Sequence, residues 1–188
     1  MKRRILALLV ALALVALVVP AAVFAADTDA VSCTVSVFLV SVTVSDGDVA
    51  YGPLELNTVK NTAKYDATHN LHGMAPPQTQ TITNTGTVNE DFGIKTSDAV
   101  GTTNWTLHAS TPNVNIFTHA YYVADTEYIG AGAIAFTNWS QSAASVEVAA
   151  DVVPAGVRYL ELEIGMPTSV DDAESHTITV TVLATEHT

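Results

Sequence analysis

Val31–Ser45 reads VSCTVSVFLVSVTVS. Valine dominates it, Phe38 and Leu39 lie at its centre, and small hydroxyl residues stand between. β-branched and aromatic side chains suit a pleated surface, so the stretch predicts a strand. Its alternation contains a fault. Val31, Cys33, Val35, Val37 and Leu39 occupy odd positions, whereas Val40, Val42 and Val44 occupy even ones. A strand has period two, so a phase change turns the apolar set to the opposite face. The stretch is therefore one strand with a bulge, or two halves serving different surfaces. The second alternative predicts that residues up to about Leu39 serve another sheet, a neighbour's, from those that follow.

N-terminal to this stretch, Met1-Lys2-Arg3-Arg4 precedes an apolar run from Ile5 to Val19 and a Val23-Phe24-Ala25 ending. A basic start, a short apolar region and small residues define a secretory signal peptide over residues 1–25; left uncleaved, it would be an N-terminal anchor. The apolar run is shorter than the roughly 20 residues of a spanning helix, so no membrane span is expected after cleavage. Cleavage after Ala25 leaves 188 − 25 = 163 residues, enough for one domain with its own core. Of the seven basic residues only Lys60, Lys64, Lys95 and Arg158 remain, against 19 acids, a formal charge of 4 − 19 = −15. Such a chain repels nucleic acid and anionic lipid, and suits high salt or hard cations. Cys33 is the only cysteine, so no intrachain disulfide forms. It reads as a small buried hydrophobe, with lipid attachment or an intermolecular disulfide as alternatives.

C-terminal to the stretch, Asp46-Gly47-Asp48 signals a turn and Val49–Leu54 a short strand that Pro53 confines to an edge or end. Glu55–Pro77 is polar, without period, and reads as a long loop. From Gln78 short strands follow in quick succession. Phe92 and Ile94 share a face, as do Trp105, Leu107 and Ala109, then Val114, Ile116, Ala120 and Tyr122. Val146, Val148, Ala150 and Val152 alternate, as do Leu160, Leu162 and Ile164 with Glu161 and Glu163 between, and Ile178, Val180 and Val182 with threonines between. Alternation implies one buried and one wet face. No amphipathic helix is evident. The fold class is all-β: an antiparallel β-sandwich of about ten strands, jelly-roll or immunoglobulin-like.

Candidate sites are few. Asp46 and Asp48, with Asp171, Asp172 and Glu174, are oxygen donors that suit calcium; solvated turn acids are the alternative. His69, His72 and Met74 offer imidazole and thioether groups that suit copper, in a loop where histidines are also commonly just solvated. Asn104 and Asn138 begin Asn-Trp-Thr and Asn-Trp-Ser sequons, glycosylation candidates whose tryptophans read as packed rather than offered to a ligand. Lys60, Lys64 and Lys95 are candidates for an isopeptide crosslink. No nucleophile elbow, His-Glu-x-x-His, phosphate loop or Cys-x-x-Cys occurs, so no catalytic residue and no enzymatic activity are expected, and no cofactor beyond calcium.

A signal peptide, an immediate hydrophobic strand and a Thr-, Val- and Asn-rich chain without disulfides resemble prokaryotic secreted fibre subunits of the TasA/camelysin type. Thr79–Glu90 (TQTITNTGTVNE) is also similar to the ITNTG strands of bacterial surface sandwiches. The resemblance implies a jelly-roll domain whose N-terminal strand completes a neighbour's sheet, hence a biofilm-matrix filament and a self-partner. It divides the chain into a signal peptide (1–25), a candidate donor strand (26–45) and a sandwich (46–188). Physics independently favours assembly, because an exposed apolar edge strand is an aggregation liability unless something covers it. The rival expectation is a secreted module binding carbohydrate or another surface ligand through its loops and tryptophans.

Overall fold

The computed structural model describes residues 37–110 and 112–188. The signal segment and the candidate strand residues Val31, Cys33 and Val35 lie outside the described residues. Val37–Thr188 forms one compact unit, so Val37–Ser45 belongs with the residues that follow it.

The described residues fold as ten strands and no helix. These are β1 (Val42–Val44), β2 (Val59–Asn61), β3 (Gln80–Asn84), β4 (Glu90–Thr96), β5 (Thr106–Leu107), β6 (Ile116–Ala124), β7 (Thr137–Asn138), β8 (Val146–Val152), β9 (Val157–Gly165) and β10 (Val180–Glu186). Two sheets result. The larger runs β1-β3-β9-β6-β5, with β2 paired to β9 and β7 to β6; the smaller runs β10-β4-β8. Every pairing is antiparallel except the short β5–β6 contact. β9 is the axis of the larger sheet: β3 takes its N-terminal half, β2 its C-terminal half, and β6 its other edge.

The sheets share one core. Ile82, Phe117, Leu160, Leu162 and Ile164 from the larger meet Phe92, Ile94 and Val152 from the smaller. Strict alternation produces this: every second residue of β3 and β4 is buried and its neighbours are half-exposed. The result is a β-sandwich-like, all-β fold, as the strand pattern predicts.

Particular elements depart from the reading. The core face of β6 is Phe117, His119 and Tyr121, not the set containing Val114 and Ile116. A histidine reads as polar in sequence; here it is packed on Trp139. Val49–Leu54 is not a strand. Val49, Tyr51 and Leu54 pack on the core, but Ala50 bonds the Gln78 side-chain amide instead of a strand, donating N–H to Oε1 (2.7 Å) and accepting from Nε2 (3.1 Å). Glu55–Pro77 contains β2, and Thr62 N–H donates to the Leu162 carbonyl just beyond it (2.9 Å). This segment covers the outer face of β9, so Glu161 is buried rather than wet.

Candidate functional site

The N-terminal segment follows the line of β3. Val42, Thr43 and Val44 pair with Asn84, Thr83 and Ile82. Main-chain contact then continues past the end of both strands: Thr85 N–H donates to the Ser41 carbonyl and Thr87 N–H to the Leu39 carbonyl, each at 2.8 Å. Leu39 N–H donates to Thr87 Oγ1 (3.0 Å), whose hydroxyl donates to the Val37 carbonyl (3.3 Å). The main chain thus tracks one line from Leu39 to Ser45, and the residues expected to serve a neighbour's sheet before it lie, up to Ser36, outside the described residues. The fault is a change in what the side chains face. Val42 and Val44 are half-buried, whereas Val37, Phe38, Leu39 and Val40 are 78, 72, 52 and 39% exposed.

Two residues that the sequence offers only as a loop acid and a turn glycine hold this arrangement. Glu90 is wholly buried, and its Oε1 accepts the Ser41 N–H at 2.7 Å. Its Oε2 finds no hydrogen-bond partner among the described residues. Gly86 lies where a Cβ would run into the Leu39 carbonyl oxygen and the Glu90 carboxylate. The only sequence signal for either is the Thr-Gly turn inside ITNTG.

His69 and His72 line a cleft of about 240 Å³ with Asn61, Asn70, Leu71, Ile134, Phe136 and Glu163. Met74 is buried, while His69 Nδ1 is 3.0 Å from Asp66 Oδ1. The two asparagines are locked in a reciprocal amide pair: Asn61 Nδ2 donates to Asn70 Oδ1 (2.9 Å) and Asn70 Nδ2 to Asn61 Oδ1 (3.0 Å). Burial pushes the Glu163 carboxyl above its ordinary range, and the Asn61 amide offsets part of this. Glu161 is raised by burial too, although the Thr62 and Thr79 hydroxyls donate to it at 2.6 and 2.7 Å. Tyr51 is raised by the same burial and by both glutamates.

The acids proposed for calcium serve as loop ties. Asp171 Oδ2 accepts from Asn115 Nδ2 and Asp172 Oδ2 from Thr103 N–H, both at 2.6 Å. Asp46, in a left-handed turn, and Asp48 follow β1 elsewhere in the chain. Among the described residues no three His, Cys, Asp or Glu side chains are grouped to hold a metal ion. Asp172 is lowered overall: burial alone would raise it, but N–H donors from Thr103 and Glu174 and the His176 ring outweigh that.

Both sequon asparagines are exposed and both tryptophans are buried, as read. Trp139 packs between His119 and Tyr121. Trp105 stacks under His176 at 3.7 Å, and no Cβ fits at Gly101 above that ring. The His176 nitrogens face the carbonyls of Glu174 (3.0 Å) and Thr103 (2.7 Å). Of the isopeptide candidates, Lys60 Nζ donates to the Gly73 carbonyl. No described helix is long and apolar enough to cross a membrane.

No protein-family model, curated protein or solved structure matches this chain significantly.

Proposed function

We propose that the chain is a structural subunit of an extracellular filament or biofilm matrix, assembled head to tail by donation of its N-terminal strand. One observation carries this reading: four consecutive apolar residues, Val37–Val40, stand exposed where the chain joins the sandwich. Runs of this kind on a soluble surface mark an interaction site or an aggregation hazard. The residues before them, Val31–Ser36, continue the apolar–hydroxyl alternation and carry no charge. Main-chain pairing with a neighbour's sheet would satisfy such a segment's hydrogen bonds and bury its apolar face together. Removing Ala26–Val37 is expected to abolish fibres in electron micrographs while leaving the domain folded by circular dichroism. Fibres that persist unchanged would sink the proposal.

A second reading, a secreted module for carbohydrate or another surface ligand, is favoured by the cleft. Glu163, His69 and His72 are among its polar lining residues, and Phe136, Ile134 and Leu71 are its apolar ones. With both tryptophans buried, that reading rests on these loops alone.

A further inference from the structure

We propose that the outer edge of β10 is the acceptor for residues Val31–Val37 of a second copy of this chain. The proposal rests on the strand-donation reading and names the surface it would use.

The other sheet edges are poorly suited. Among the described strands, the larger sheet ends in β1 and β2 on one side, β2 being lined by residues 72–74, and in the two-residue β5 and β7 on the other. β1 has only three residues and itself lies beside β10. The smaller sheet ends in β8 and β10. β8 is guarded. Its register against β4 shifts twice, Asp151 stands at φ 54°, and Glu147 and Asp151 are exposed. Bulges and charges are the ordinary protections of an edge strand.

β10 has no bulge and a single charge, Glu186, at its C-terminal end. It pairs with β4 from Val180 to Glu186 without a register break, and its sequence VTVLATE carries no charge before Glu186. Its flank is also incompletely filled. Val180, Val182 and Ala184 pack on the core but remain partly exposed, as does Val42 of β1, although Phe92 and Ile94 behind them are fully buried. An edge with so little charge over a half-filled core invites a further strand.

The proposed donor matches it in length and alternation, except where a terminal valine meets Glu186. Val31–Val37 and β10 each contain seven residues and neither contains proline or glycine. Laid along β10, Val31, Cys33, Val35 and Val37 extend the row of Val180, Val182 and Ala184. Ser32, Thr34 and Ser36 extend the outer row that includes Thr181 and Thr185. The donor surface at the N-terminus and the acceptor surface on β10 are different patches, so each union leaves one of each free and the assembly repeats.

Cys33, the only native cysteine, supplies the test. Directly opposed residues on antiparallel strands have Cβ atoms about 4.5–5.5 Å apart, near disulfide reach. The full chain is made with Ala184→Cys, with Val180→Cys as a second site and Val148→Cys on β8 for comparison. Each is oxidised under fibre-forming conditions and run on a non-reducing gel. The expected result is a ladder of covalent multimers from one of the two β10 variants, whichever position the register sets opposite Cys33, lost with reductant or with Cys33→Ser, while the unmodified chain stops at dimer. A ladder from Val148→Cys alone overturns the β10 assignment but leaves strand donation standing. β10 variants that oxidise only within one chain, or fibres without cross-links at any site, likewise overturn it. Absence of fibres from the unmodified chain removes the strand-donation reading, and this proposal with it.

Discussion

His119 shows how far one side chain can depart from what its type suggests. It lies between the sheets, 2.8 Å from Thr96 Oγ1, beside Trp139. Burial lowers its pKa from 6.5 to about 3. Unfolding returns the ring to its ordinary value. Between those two values the unfolded chain binds a proton that the folded one excludes, so this stability is complete above 6.5 and declines as pH falls. The slope approaches about 1.4 kcal/mol per pH unit. Glu161 and Glu163 are raised by burial, so their contribution has the opposite sign: they favour the fold as pH falls. A difference measurement isolates the histidine. The urea midpoint of His119→Gln, relative to the native chain, is expected to improve steadily from about pH 6 to about pH 4.5; a constant offset would contradict this. Sequence alternation placed Phe92 and Ile94 correctly, because apolar side chains announce their own face. It misplaced β6, because an imidazole buried neutral against aromatic rings leaves no mark in hydropathy.

Of the strands, β4 coincides with its alternating run, and β8 keeps the bounds of its run although its bulge puts Ala149 rather than Ala150 on the core, whereas β5 and β7 are two residues each. Their sequences are similar in propensity, but few main-chain partners lie alongside them. The N-terminal segment depends on the β3–β4 turn in a way that permits a sharp test. Gly86 does not need glycine for its backbone angle; it needs the absence of a Cβ against Leu39 and Glu90. Gly86→Ala is therefore expected to push Leu39–Ser41 off the turn and leave β4 intact. Amide exchange should accelerate at Thr85 and Thr87, which bond Ser41 and Leu39, and stay unchanged at Ile94. Loss of protection at all three would show instead that the turn is needed for the whole fold. A glycine in a turn is legible in sequence; that its missing methylene makes room for another segment's carbonyl is not.

Charge acts on the assembly as a unit. Residues 26–188 carry a formal charge of 4 − 19 = −15, so two copies of this part of the chain repel before they touch. Screening shortens that repulsion from roughly 30 Å at 0.01 M salt to about 8 Å at 0.15 M. If apolar strand donation joins the subunits, light scattering is expected to show faster fibre growth at the higher salt. Slower growth would mean that opposite charges, rather than an apolar strand, make the contact.

The chain by itself determined the all-β class, the number of strands and much of the core, because period-two burial is a local property of side-chain order. It also exposed the phase fault near Val37–Val40 and the buried character of both tryptophans. Tertiary structure alone decided that the main chain runs unbroken along β3 while its side chains change face. It also decided that Glu90 and Gly86 anchor that passage, and that β10, charged only at Glu186, is an outer edge among the described strands. Those facts depend on residues far apart in sequence, 49 between Ser41 and Glu90 and 180 − 96 = 84 between Thr96 and Val180, meeting at sheet margins, and no local pattern encodes which edge finds a partner.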